Sequence, residues 1–196
     1  MTKTLTAAKA PTARERLLSA ANELFYAEGV QTVGIDRIIE HAGVAKASLY
    51  NTFGGKEQLI RAYLDSRHTR LTERLLRAVE GADTPRNRLL AVFDAQADLF
   101  TEPDYHGCAF MAASAEAKHG STIEEASDVS RTWVRALFTG LARDAGAADP
   151  EALARRLHLL YDGGVVSARM DRDPSVGAVA REAAAVLIDA ALPARS

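Results

Sequence analysis

Residues 35–58 read IDRIIEHAGVAKASLYNTFGGKEQ, and this stretch decides the fold. Ile35, Ile38, Ile39 and Ala42 recur at helical spacing, so they form the apolar face of one short helix. Gly43 follows, a residue that takes the left-handed conformation a sharp turn needs. A second short helix fits Lys46 to Phe53, and Gly54-Gly55 ends it. Leu49 and Phe53, four residues apart, anchor that helix to a core. Lys46, Ala47, Ser48, Asn51 and Thr52 leave the rest of its surface small or polar. Two short helices about a glycine turn describe a helix-turn-helix. A helix entering the major groove needs such a surface, because its backbone must come close to base edges. Tyr50, Thr52 and Lys56 add hydroxyl and ammonium donors for phosphates. The same pattern also fits a plain helical hairpin with no nucleic-acid role, and Tyr50 also fits a core.

Working outward, a longer helix begins upstream at Thr12. Thr12 and Glu15 have capping-box spacing. Leu17, Ala21, Leu24 and Phe25 make its apolar stripe, and Gly29 is expected as its left-handed C-cap. Downstream, a long fourth helix runs from about Lys56 to Glu80. Further helices are expected near 85–101, 105–118, 122–145, 151–169 and 175–191. Strand signals are few, and most prolines fall at segment edges, as helix punctuation does.

The 196 residues are 47% hydrophobic and 26% charged, which excludes a wholly disordered chain. Net charge is −2, so any contact with a polyanion must be local. Residues 1–70 hold 10 Lys/Arg against 7 Asp/Glu, and the remaining 126 hold 14 against 19. A basic N-terminal module and an acidic remainder fit that division, as does chance. The single cysteine, Cys108, forms no internal disulfide, and a reducing cytoplasm is the expected compartment. No apolar run reaches the roughly 18 residues that span a bilayer. The start, with Lys3 and Lys9 but no apolar core, does not read as a secretory signal. G-x-S-x-G, P-loop, H-E-x-x-H and G-x-G-x-x-G motifs are all absent, so no enzyme is expected, and no cofactor. The spacing of His106, Cys108 and His119 matches no standard zinc signature, so no metal is expected.

The stretch from Arg14 to Leu64 resembles the N-terminal domain of the tetracycline-repressor (TetR) family of transcription regulators. LFYAEG at 24–29, AGV at 42–44 and AKASLYNTFGGKEQL at 45–59 carry the resemblance. It implies an all-α protein of about nine helices. A flexible tail would cover residues 1–11, a helix-turn-helix DNA-binding domain 12–55, and a ligand-binding and dimerisation domain 56–196. It further implies a homodimeric, ligand-responsive regulator, a repressor released from a palindromic operator by a small molecule. Lys46, Ala47 and Ser48 would touch base edges, with Asn51 beside them. Tyr50, Thr52 and Lys56 would hold phosphate. The sequence departs from the family at Val33-Gly34, where a Thr or Ser cap usually stands. Thr32 and the bare backbone of Gly34 would then serve the phosphate there. Asn51 and Thr52 also differ from the aromatic and histidine common at those places.

Beyond residue 80 the resemblance implies a pocket among the central helices and a dimer made by the last two. Leu153, Leu157, Leu160 and Val165 give the eighth helix one apolar face. Val179, Ala183, Val186, Leu187 and Ala190 give the ninth another. Gly163-Gly164, inside the eighth helix, implies a close helix approach or a kink. Candidate pocket residues are Phe93, Phe100, Tyr105, Cys108, Phe110, Met111, Trp133 and Phe138, with His68, Gln96, His158 and Asp162 as polar groups. Cys108 gives the alternative reading, in which the same scaffold senses oxidants or electrophiles through this thiol. A buried, inert cysteine fits as well.

Overall fold

The computed structural model describes residues 10–193. The expected N-terminal tail, residues 1–11, lies almost wholly outside them. Among the described residues there are nine helices and no strand. They are α1 (Ala13–Glu28), α2 (Ile35–Ala42), α3 (Lys46–Phe53), α4 (Lys56–Glu80), α5 (Pro85–Phe100), α6 (Ala109–Ala115), α7 (Thr122–Asp144), α8 (Pro150–Asp171) and α9 (Val176–Ala191). The chain forms two compact units that divide between Tyr63 and Leu64.

The first unit is built on α1. Its start is the expected capping box: Glu15 N–H donates to Thr12 Oγ1 at 3.2 Å, and Thr12 N–H donates to Glu15 Oε2 at 2.7 Å. Those bonds hold the Glu15 carboxyl below its usual range. Leu17, Ala21, Leu24 and Phe25 are buried, with Ile38 of α2 and Leu49 and Phe53 of α3. Phe25 meets Tyr63 edge-on at 5.6 Å. Gly29 ends α1 at φ 94° and ψ 151°, outside the expected left-handed helical conformation. Its N–H still reaches the Phe25 carbonyl, and the chain leaves extended rather than curled.

The second unit packs α5 against α9 and α7, α7 against α6 and α8, and α8 against α9. Its centre is an aromatic trio: Phe93 and Phe138 stand 5.8 Å apart, and Tyr161 lies 6.2 and 6.0 Å from them. Leu89, Leu153, Leu157, Ala184 and Ile188 close around it. Gly177 lets α9 lie directly on α5: a Cβ there would stand 2.5 Å from the Ala97 Cβ.

Two sequence expectations change here. The sixth helix is only seven residues, not the expected 105–118, because Gly107 turns at φ 95° against the Arg169 side chain and Cys108 becomes the N-cap. The eighth-helix face expected to meet a partner is turned inward instead: Leu153, Leu157 and Val165 are buried and Leu160 half-buried. Gly164 supplies the close approach, with Gln96 Oε1 3.0 Å and the Ala180 Cβ 3.5 Å from where its own Cβ would be. Gly163 has nothing within 4 Å.

Candidate nucleic-acid interface and internal cavity

In the first unit, sequence dictates how α3 is presented. Gly43 adopts the left-handed conformation, its N–H donates to Glu40, and the Val44 N–H donates to Ile39. Arg16 Nη1 donates to the Gly43 carbonyl at 3.1 Å, tying the turn to α1. Leu49 and Phe53 then point into the core, and the opposite side of α3 is left open. Lys46, Ala47, Tyr50, Asn51 and Thr52 are exposed and Ser48 is half-buried. Tyr50 is 46% exposed, so it is not a core tyrosine.

Thr32 and Gly34 are exposed just before α2. Gly34 is the N-cap with no side-chain cap bond, leaving backbone donors at a helix N-terminus, where anions are favoured. Lys56, half-buried, donates to the Gln31 carbonyl at 3.1 Å and so sits beside the same loop. Lys46 is held by the Asp36 carboxylate at 2.8 Å, which raises its ammonium pKa. Arg37 is bonded to Glu28, and His41 to Glu23 at 2.7 Å. The open face of α3 thus starts with a cation paired to a carboxylate of α2.

The second unit encloses a cavity of about 160 Å³ among α4, α6, α7 and α8. Leu71, Phe110, Met111 and Val134 form its apolar wall. Cys108, Ser114, Ser127, Ser130, Arg131, His158, Tyr161 and Asp162 form the polar one. Ser114 Oγ donates to Ser127 Oγ at 2.7 Å, and Ser127 Oγ donates to the Ile123 carbonyl. Arg131 pairs with Asp162 at 2.8 Å, and His158 Nε2 lies 3.7 Å from the other Asp162 oxygen. Burial lowers the His158 pKa, against the pull of Asp162. Burial also pushes up the Cys108 thiol and the Tyr161 hydroxyl.

Five of the expected pocket residues, Cys108, Phe110, Met111, His158 and Asp162, therefore meet at one cavity. The other aromatics stand elsewhere. Phe93 and Phe138 are wholly buried against each other, so they fill the core rather than line a hollow. Trp133 packs half-buried on that core, edge-on to His68 at 5.8 Å. Phe100 and Tyr105 belong to a smaller cluster and line a separate depression beside Arg169. Gln96 is buried away from the cavity and donates to the Tyr161 carbonyl at 2.9 Å. Sequence reasoning missed Tyr161 and the α7 set Ser127, Ser130, Arg131 and Val134. The signal was present: those four share one helix face at i, i+3, i+4 and i+7. Among the described residues, no group of three or more His, Cys, Asp or Glu side chains is arranged to hold a metal ion. No helix of the described residues is long and apolar enough to cross a membrane.

Residues 17–63 match the family model described as bacterial regulatory proteins, tetR family. The fold of a TetR-family transcriptional regulator from Streptomyces coelicolor superposes with a TM-score of 0.88 at 32% identity, covering 92% of this chain and 96% of that one. The chain belongs to the TetR family. It is a TetR-family DNA-binding transcriptional regulator. Among curated relatives, the regulator BetI of Rhizobium meliloti is 29% identical over 78% of this chain and 76% of its own. The activator FasR of Mycolicibacterium smegmatis is 29% identical over 68% of this chain, and the match spans 60% of FasR. These TetR relatives are transcriptional regulators rather than enzymes.

Proposed function

We propose that this TetR-family chain is a homodimeric, ligand-responsive repressor of a palindromic operator, working in the cytoplasm. The observation that carries the DNA-reading part is the open polar face of α3, backed by buried Leu49 and Phe53. Lys46, Ala47, Ser48 and Asn51 meet base edges, while Thr32, Gly34, Tyr50, Thr52 and Lys56 hold the phosphates on either side. Residues 12–55 act as the DNA-binding domain and 56–196 as the ligand-binding and dimerisation domain. Two copies place their α3 helices in successive major grooves about 34–36 Å apart.

The dimer forms through the outward faces of α8 and α9. Leu159, Val166 and Met170 on α8 are 76%, 48% and 75% exposed, and Val179 and Val186 on α9 are 64% and 69% exposed. Exposed apolar side chains in this density favour a partner surface. Gly163, on the same side as Leu159 and Val166, has no intrachain neighbour that requires a glycine, which fits a close crossing with a second copy.

A small molecule in the α4–α6–α7–α8 cavity shifts the protein toward a state whose α3 helices no longer match the operator. That requires unequal ligand affinity for the two states, typically about 1–3 kcal/mol. Electrophoretic mobility shift with DNA from upstream of the protein's own gene tests the DNA reading. A retarded band that survives competitor DNA is the expected result, and no shift at low salt with any fragment overturns it.

Cys108 supports a second reading, thiol sensing on the same scaffold, because it lines the cavity. Its raised pKa works against the reactive thiolate. Cys108→Ser discriminates: release of DNA by oxidant that persists in this variant removes the thiol reading.

A further inference from the structure

We propose that the cavity in the second unit takes a neutral, single-ring compound bearing a hydroxyl group, a ligand of the phenol class. The inference rests on the reading of this cavity as the effector site and adds the chemistry of its occupant.

Size sets the first limit. A cavity near 150 Å³ holds one benzene-sized ring, and this one measures about 160 Å³. Ser114 and Arg131 line it and are also exposed, so it opens at their side. The wall fits a ring: Phe110 and Tyr161 offer aromatic faces, and Met111 offers a thioether that packs favourably on ring edges.

Charge sets the second limit. Among the described residues, the full charges on the wall are Arg131 and Asp162, paired at 2.8 Å. Burial lowers the His158 pKa, with Arg131 and Arg135 of α7 adding to the effect and Asp162 opposing it. An anionic ligand has to compete with Asp162 for Arg131, and a cationic one has to compete with Arg131 for Asp162. Either exchange breaks the Arg131–Asp162 pair, whose carboxylate side is the less exposed at 22%.

Hydrogen bonding sets the third. Ser130 is 3% exposed and Tyr161 7%, and both line the cavity. His158 is 4% exposed, and its Nε2 lies 3.7 Å from Asp162 Oδ1, longer than a hydrogen bond. Three largely buried polar side chains thus share one cavity wall, where a guest can exchange hydrogen bonds with them. A neutral imidazole presents one donor and one acceptor, and the tyrosine hydroxyl presents a donor. A carbonyl compound only accepts and leaves the imidazole acceptor unmet. A hydroxyl both donates and accepts, and satisfies both sides.

The test uses four compounds that share a ring and differ in one substituent: p-cresol, toluene, benzoate and benzylamine. Each is titrated calorimetrically into the full chain. The expected result is that p-cresol binds at least about tenfold more tightly than the other three. Ser130→Ala should weaken p-cresol about fivefold and leave toluene unchanged. Val134→Phe, which fills the cavity, should remove the p-cresol signal. The proposal is overturned if p-cresol does not bind, if benzoate, benzylamine or toluene equals it, or if Val134→Phe binds it undiminished. A parallel DNA-release assay separates the two readings. If p-cresol binds the cavity and the protein stays on DNA, the ligand class stands and the effector role fails. If benzoate releases the DNA and p-cresol does not, the effector role stands and the ligand class fails.

Discussion

Lys46 and Lys56 are both cations at the edge of the α3 surface, yet they are anchored differently. Lys46 stands at the first position of α3, bonded to Asp36, while Lys56 leans on the Gln31 carbonyl beside the N-terminus of α2. Lys56→Ala is expected to weaken binding to all duplexes alike and to flatten the salt dependence by about one unit. Lys46→Ala should instead change which operator sequence is preferred. Anisotropy titrations against operator and scrambled DNA at several salt concentrations measure both. Identical behaviour of the two variants would sink the division into base and phosphate contacts.

His158 gives a pH signature. Its folded-state pKa lies below the ordinary 6.5, while in the unfolded chain it returns to that value. As pH falls through about 6.5, the unfolded chain therefore binds the proton first, and stability drops. Arg131 and Arg135 face it from α7 and oppose protonation, and Asp162 on its own helix favours it. Urea titrations at about pH 7.5 and about pH 5.5 should show a smaller loss for His158→Gln than for the parent chain. An equal loss in both would show that other groups carry the acid sensitivity.

At the scale of elements, α8 contains adjacent glycines with opposite duties. Gly164→Ala is expected to destabilise the fold by about 1–3 kcal/mol, since its new methyl meets Gln96 across a packed interface. Gly163→Ala meets nothing and should raise helix stability by up to about 1 kcal/mol in the isolated subunit. Thermal denaturation of both variants at low protein concentration tests this. The pair of glycines was legible in the sequence, but not which one did the packing, because that depends on the rotation of α8 against α5 and α9. Boundaries set by local chemistry were easier to read: the Thr12–Glu15 cap, the Gly43 turn and the Gly54 stop all fall where side chains and φ require them. The sixth helix was misjudged because its alanine-rich sequence suits a longer one, and the Gly107 turn against Arg169 is a tertiary contact.

The α3 surface could be anticipated in the same local way, since Leu49 and Phe53 fix its rotation. The cavity could not. Large aromatics were weighed by size, but Phe93 and Phe138 find each other and fill the core, while small Ser127 and Ser130 leave the hollow. Which bulky residues touch and which leave space is decided by packing among helices distant in sequence.

For the whole molecule, the outward apolar side of α8 and α9 predicts that association and DNA binding fail together. Val186→Asp should shift the sedimentation profile from dimer toward monomer and weaken operator binding at least about tenfold, because one α3 helix forfeits the second half-site. A monomer that binds the full operator as tightly as the parent would remove the dimer from the mechanism.

The contact between Gly177 and Ala97 has a mechanical consequence. Backbone lies against backbone there, without a flexible side chain to absorb a slip. A displacement of α5 is therefore passed on to α9, so the two helices shift as a pair.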